Sequence, residues 1–243
     1  MRDMKNGKEQ LNDRVIVALD LPGYDAAEAM VEKLGDLVSF YKVGFELYIR
    51  DGERVLELLR SAGKSAILDL KLHDIPNTVN RAVGSIATKG ASLTTLHTAG
   101  GYDMMRAARD AADAAGDAAG GLRLIGVTVL TSINEETLRN DMLIESSIPK
   151  LVVHLAGVAK RAGLHGVVAS ALELALLREH FGDDFLVVTP GVRPAGDDVG
   201  DQKRIVTPKE AFDRGASYIV VGRPITAAAD PAAAAKRIQD EIA

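Results

Sequence analysis

Ile67-Leu68-Asp69-Leu70-Lys71-Leu72-His73-Asp74-Ile75-Pro76-Asn77-Thr78 begins as an apolar strand and ends as a turn before a helix. Three charges, Asp69, Lys71 and Asp74, interrupt its buried pattern. Residues two apart in a strand point to one face. Asp69 and Lys71 therefore look out together, with Leu68, Leu70 and Leu72 on the other side. Asp74 lies past the strand, and Pro76 suits the first position of the next helix. Such charges at the end of a buried strand are costly unless they compensate one another. A structural ion pair is the plainer reading of this stretch taken alone, because ion-pair networks also perturb ionisation.

Working outward from this stretch, short β-branched runs alternate with longer helical stretches along the whole chain. The strand candidates are Val15–Leu19, Phe40–Val43, Ala66–Leu70, Leu93–Leu96, Leu124–Leu130, Gly166–Ala169, Phe185–Thr189 and Tyr218–Val221. The helical candidates are Asp25–Leu34, Gly52–Ser61, Pro76–Lys89, Tyr102–Ala115, Ile148–Ala162, Ala171–Phe181, Pro208–Arg214 and Thr226–Ile242. Near-continuous apolar strands fit a parallel sheet covered on both faces. Alternation of strand and helix argues for an α/β fold. Eight such units in 243 residues favour a single closed (β/α)8 TIM barrel over an open doubly wound sheet. The absence of G-x-G-x-x-G after the first strand lowers the Rossmann alternative. Two stretches break the alternation: Asn134–Glu145, read as a short helix and loop, and Gly191–Arg204, long enough to be a lid or binding loop.

Composition narrows the function classes. Hydrophobic residues make up 47%, ample for a large core, and the net charge of −5 with interspersed signs offers no basic face for nucleic acid. Without cysteine there is no disulfide framework, thiolate metal site or thiol nucleophile. No apolar run approaches the length of about 18 residues that a membrane span needs. Residues 1–12 are polar and lack the apolar core of a signal peptide, so they read as a flexible N-terminal extension. The expectation is a cytoplasmic protein with one barrel domain over residues 13–243.

Barrels of this kind carry their chemistry at the carboxyl ends of the strands. There the sequence places Asp20, Lys42, Asp69 and Lys71 around one rim. Alternating signs let all four stay ionised. Each alone reads more readily as a solvated strand end. Flanking acids favour the charged form of Lys71, making it an ammonium acid and not a Schiff-base amine. A lysine held over a dry pocket suits capture of a carbanion. After the last strand, Gly222 and Arg223 precede a helix start, the usual place for a phosphate in barrels. Gly222 lets backbone N–H groups approach an oxygen, and Arg223 supplies forked donors. A surface arginine beside a tight turn is the competing reading. Gln202, in the long loop, is positioned in sequence to close over such a phosphate. The five histidines show no metal-ligand spacing, and neither a Gly-x-Ser-x-Gly elbow nor a P-loop is present.

These words resemble a known family. Asp69–Thr78 is similar to the signature of orotidine 5'-monophosphate decarboxylases, in their bacterial form. So are Leu130-Thr131-Ser132, Thr189-Pro190-Gly191-Val192-Arg193-Pro194 and Gly200-Asp201-Gln202-Lys203-Arg204, in matching order and spacing. The resemblance runs from Val15–Asp20 to Gly222-Arg223-Pro224. It implies a homodimeric, cofactor-independent barrel enzyme of pyrimidine synthesis, with no metal, acting on orotidine 5'-monophosphate. By the same resemblance Lys71 is the proton donor, Asp20 and Lys42 hold the ribose hydroxyls, and Asp69 lies against the substrate carboxylate. Asp74, Ile75 and Thr78 reach into the neighbouring subunit's site, and Thr131 faces the pyrimidine amide edge. Pro190 joins the substrate site, and Arg193, Gln202, Gly222 and Arg223 bind the phosphate region. Magnesium-dependent sugar-phosphate aldolases or decarboxylases of the same superfamily share Asp-x-Lys-x-x-Asp, but place an acid where Lys42 stands. A non-catalytic phosphate-binding barrel would keep Arg223 and lose one of the four rim charges; all four are present here.

Overall fold

The computed structural model describes residues 13–116, 121–194 and 206–242. Eight parallel strands close in sequence order, β1 pairing with both β2 and β8. The strands are β1 Val15–Ala18, β2 Phe40–Val43, β3 Ser65–Leu72, β4 Leu93–His97, β5 Arg123–Val127, β6 Gly166–Val168, β7 Leu186–Thr189 and β8 Tyr218–Val221. The helices are α1 Tyr24–Leu34, α2 Phe45–Ser61, α3 Pro76–Ala87, α4 Gly101–Ala115, α5 Glu135–Asn140, α6 Ile148–Arg161, α7 Leu174–Phe181, α8 Pro208–Asp213, α9 Arg223–Thr226 and α10 Pro231–Ile242. The fold is the expected (β/α)8 barrel. The expected extension over residues 1–12 lies outside the described residues.

Two apolar clusters follow from the period of two. Inside the barrel, Ile16, Phe40, Ile67, Leu93, Ile125, Val188 and Tyr218 form a floor, with Phe40 and Tyr218 meeting edge to face at 5.8 Å. Outside it, Val15, Val17, Tyr41, Leu68, Leu96 and Leu124 pack against the helices. Residues two further along each inward-facing series stand above the floor, so Phe40 leads to Lys42, Ile67 to Asp69, and Leu93 to Thr95. The sequence period thus fixes which side chains can face a ligand.

Several boundaries differ from the sequence expectation. β3 continues to Leu72, but its register against β4 slips between Leu68 and Leu72. Lys71 has φ 45°, so the alternation that puts it beside Asp69 is completed by a bulge and not by a regular ladder. β5 stops at Val127 and not Leu130, leaving Thr131 on a loop. α2 starts at Phe45, seven residues before the expected Gly52. Its kink at Asp51 (φ −141°, ψ 22°) coincides with the side chain of Asp51 accepting from Tyr24 N at 3.0 Å, and a Cβ on Gly52 would meet the Tyr48 ring at 2.2 Å. α7 begins at Leu174 and not Ala171. The final helix begins at Pro231, with α9 as a separate turn. Pro76 does begin α3, and Asn134 caps α5 by accepting from Thr137 N.

Candidate active site

The site is built from the ends of three neighbouring strands: Asp20 just past β1, Lys42 on β2, and Asp69 and Lys71 on β3. Lys42 of β2 projects its ammonium between two carboxylates, 2.9 Å from Asp20 Oδ1 and 3.6 Å from Asp69 Oδ2. Lys71 Nζ lies 2.8 Å from the same Asp69 oxygen. The result is an alternating row, Asp20–Lys42–Asp69–Lys71, in which Asp69 touches both lysines. Asp69 is buried, Lys42 and Lys71 are partly covered, and Asp20 is open to solvent. Burial pushes the Asp69 carboxyl up, but the charges of Lys42 and Lys71, with hydrogen bonds from Lys71 and Thr95, outweigh it and hold the group below the usual carboxylate range. The acid therefore stays ionised although it is buried. Phe45, at the start of α2, places its ring centroid 5.6 Å from Lys71 Nζ.

Above the floor lies a cavity of about 240 Å³. Lys42, Asp69, Lys71 and Thr95 form one wall, and Ile125, Val127, Val129, Leu130, Val168, Val188 and Val220 form an apolar wall opposite. Thr131, on the loop after β5, and Pro190, just past β7, also line the cavity. A charged wall facing an apolar one suits a flat ring with one charged edge. A larger open depression lies around the end of α3, lined by Glu53, Glu57, Arg60 and Lys89. Its charges are matched pairwise, Lys89 with Glu53 and Arg60 with Glu57, and it lies away from the strand ends.

The remaining candidates divide. Arg193 is buried just after β7, and its backbone N–H donates to Val206 O at 3.1 Å. Arg223 is exposed at the start of α9, directly after Gly222. Gly222 has φ −109°, and an added Cβ would meet nothing nearer than Ala18 at 3.6 Å. Gln202 lies outside the described residues. Asp74 and Ile75 on the turn into α3, and Thr78 within its first turn, are exposed, and none of them lines the cavity of their own chain; the Asp74 carboxylate accepts from Ile75 N at 2.7 Å. His73 and His97 lie with ring centroids 5.5 Å apart, and burial, followed by His73 and Lys71, holds His97 below the usual histidine range. Among the described residues no group of three or more metal-ligating side chains occurs.

Sequence reading overlooked Thr95. It is buried, donates to Asp69 Oδ1 at 2.8 Å and accepts from Lys71 N at 2.9 Å. Its signal was the inward parity shared with Leu93, but threonine is so ordinary in a strand that it draws no notice.

Comparison with known proteins agrees with this geometry. Residues 13–238 match the model of the "Orotidine 5'-phosphate decarboxylase / HUMPS family". The chain is 48% identical over 234 residues to an orotidine 5'-phosphate decarboxylase of Nostoc sp., covering 95% of this chain and 98% of that one. It is 50% identical over 231 residues to the Bradyrhizobium sp. enzyme of the same name, covering 95% and 92%. The crystal structure of orotidine 5'-phosphate decarboxylase from Lactobacillus acidophilus superposes with a TM-score of 0.84 at 43% identity, covering 95% of this chain and 99% of that one. A family match over nearly the whole chain, on a barrel whose rim carries the expected row of charges, means that this chain belongs to the orotidine 5'-phosphate decarboxylase / HUMPS family.

Proposed function

We propose that the orotidine 5'-phosphate decarboxylase activity of this chain, a carboxy-lyase reaction that converts orotidine 5'-monophosphate to uridine 5'-monophosphate and carbon dioxide in pyrimidine synthesis, is carried by the row Asp20–Lys42–Asp69–Lys71. The observation that supports this most is the doubly paired, ionised Asp69 beside Lys71 at the mouth of an otherwise apolar cavity. In this reading the pyrimidine lies against the apolar wall with Thr131 at its amide edge. Asp20 and Lys42 hold the ribose, while Arg193, Gln202, Gly222 and Arg223 receive the phosphate.

The bond between carbon 6 and the carboxylate breaks, and its electron pair stays on carbon 6. No conventional electron sink exists in the ring, so stabilisation must come from positive charge placed where the negative charge develops. The Lys71 ammonium supplies it and then transfers its proton to carbon 6. Water returns a proton to the amine. Asp69 next to the substrate carboxylate raises the ground state and is relieved as carbon dioxide leaves. Phosphate binding, remote from the reacting carbon, supplies free energy to organise the site.

The magnesium-dependent reading is disfavoured by charge. Lys42 Nζ already occupies the space between Asp20 and Asp69 where a divalent cation would be held, and the two cations would repel. We further propose a homodimer whose sites are shared. Asp74, Ile75 and Thr78 are exposed in one chain, and Ile75 and Tyr102 present apolar surface nearby at 66% and 46% exposure. Among the described residues no helix is long and apolar enough to cross a membrane, and the proposed location is the cytoplasm. The direct test is loss of ultraviolet absorbance of orotidine 5'-monophosphate on adding the purified protein. Unchanged absorbance with folded protein would overturn the reading.

A further inference from the structure

We propose that Thr95 is a positioning residue for the reaction: its hydroxyl locks the Asp69 carboxylate and the Lys71 backbone into one rigid unit. The inference rests on the decarboxylase reading and goes beyond it, since neither the family signature nor the row of charges includes this residue.

The β3–β4 register supplies the reason. Leu68 pairs with Thr94 and Leu72 with Leu96, so four steps of β3 face two steps of β4. The bulge removes regular ladder partners from the residues between, and Lys71 takes up φ 45° there. A non-glycine residue in that region is strained, and it persists only where its surroundings over-determine it. Thr95 does so. The Lys71 N–H donates to Thr95 Oγ1 at 2.9 Å in place of a ladder carbonyl. The same hydroxyl donates its only proton to Asp69 Oδ1 at 2.8 Å. That leaves Asp69 Oδ2 for the lysines, at 2.8 Å from Lys71 and 3.6 Å from Lys42. One buried hydroxyl therefore sets both the rotation of the acid and the course of the chain that carries the proton donor.

Thr94 provides an internal control. It is equally buried, but its hydroxyl donates to the Leu68 carbonyl at 2.9 Å and has no contact with the charges. Both threonines support the same bulge; only Thr95 touches the site.

The test compares Thr95→Val, Thr95→Ser and Thr94→Val by turnover of orotidine 5'-monophosphate, thermal unfolding and binding of uridine 5'-monophosphate. Valine keeps the shape and removes both hydrogen bonds. Thr95→Val is expected to lower kcat by about 10- to 100-fold, the size expected for a hydrogen bond to a charged group, with KM changed less than about threefold. Thr95→Ser keeps the hydroxyl and is expected to stay within about threefold of wild type. Thr94→Val is expected to lower the unfolding temperature and leave kcat alone. The pH profile gives a further readout. Asp69 faces Lys42 from β2, Lys71 from its own strand, and Thr95 and His97 from β4, with Asp20 beyond Lys42. Removing a donor to the ionised acid raises its pKa, so the acid limb of the Thr95→Val profile should move to higher pH.

The proposal is overturned if Thr95→Val keeps kcat within threefold of wild type, or if Thr95→Ser falls as far as Thr95→Val. It is equally overturned if Thr95→Val and Thr95→Ala both fail to fold, for the hydroxyl would then serve the fold alone. Failure of the wild-type protein to turn over the substrate would instead defeat the functional reading on which the comparison rests.

Discussion

Replacing Lys71 separates its chemical role from its structural one. In Lys71→Ala, Asp69 loses the ammonium at 2.8 Å but keeps Lys42 at 3.6 Å and the Thr95 hydroxyl at 2.8 Å. At an effective dielectric of about 20, the gross attractions of the two lysines for Asp69 are roughly 6 and 5 kcal/mol, so the acid retains nearly half its compensation. Lys71 is partly solvated, and the net loss of stability is expected at about 1.5–3 kcal/mol, the range for a charged hydrogen bond. The fold should survive. Backbone strain adds a second comparison. Alanine keeps the Cβ that makes φ 45° costly, whereas glycine removes it. Lys71→Gly should therefore be more stable than Lys71→Ala by about 1 kcal/mol, or roughly 2–4 °C in unfolding temperature. In the proposed mechanism both variants lose the proton donor and the positive charge at the reacting carbon. General acid catalysis contributes about 10²–10⁴ and electrostatic stabilisation about 10²–10³, so a loss of at least roughly 10⁴ in kcat is expected for each. Turnover is followed by absorbance and stability by calorimetry. Activity within tenfold of wild type in either variant would remove Lys71 from the mechanism. A glycine variant less stable than the alanine variant would refute the strain at this position.

Mixing Lys71→Ala with Asp74→Ala under conditions that exchange subunits should restore activity, up to one intact site per mixed dimer; confirmed exchange without recovered turnover would defeat the shared site. Gly44→Ala would place a Cβ 3.0 Å from Lys42 Nζ and 3.2 Å from Asp20 Oδ1, at an unstrained φ of −96°. We expect stability within about 1 kcal/mol of wild type but kcat/KM down about tenfold, because sub-ångström displacement of a positioning group is costly to rate; unchanged kinetics would show that the Asp20–Lys42 pair tolerates displacement. His165, at the opposite end of the barrel, is lowered to about 4 by burial and then by the charges of Arg109 and Arg123. Its folded pKa is below the ordinary value of about 6.5, so its stabilisation is full above pH 6.5 and is lost as pH falls towards 4; His165→Gln should flatten the pH dependence of unfolding temperature across that window, and parallel curves would refute this.

The fold was legible because its signal is repeated. Eight apolar runs separated by helical stretches demand a parallel sheet covered on both sides, and one misplaced boundary does not alter the topology. The four rim charges were legible because a charge inside an apolar strand is unusual. What failed to show was geometry that depends on a partner strand. The β3–β4 bulge arises from a register slip, and alternation within β3 alone looks regular straight through it. Thr95 was invisible for the same reason, since its importance lies in what β3 brings opposite it. The first turns of α2 were missed because Phe45 and Ile49 are exposed, at 51% and 80%, and leave no one-sided apolar stripe to read. Asp74, Ile75 and Thr78 stand apart from the cavity of their own chain, so only the family resemblance gave them a place in a site.

The row Asp20–Lys42–Asp69–Lys71 carries no net charge of its own, which is why it can sit at the end of a buried sheet without a counter-ion. Substrate changes that balance. The proposed pose brings a second carboxylate beside Asp69, whose own charge is fixed by Lys42, Lys71 and Thr95 and cannot be relieved by protonation at neutral pH. The contact is removed only by losing the substrate carboxylate as neutral carbon dioxide. In the proposed mechanism the negative charge then passes to carbon 6, where the Lys71 ammonium would face it. The lysine is then less strongly engaged with the substrate in the ground state than in the transition state, which is the condition for raising kcat and not merely tightening binding. The apolar wall opposite strengthens the effect, because it offers neither charge a polar group to screen it. On this reading the acid has to be rigid. An Asp69 free to rotate would turn away from the incoming carboxylate and take Lys71 with it, and both halves of the electrostatic difference would vanish together.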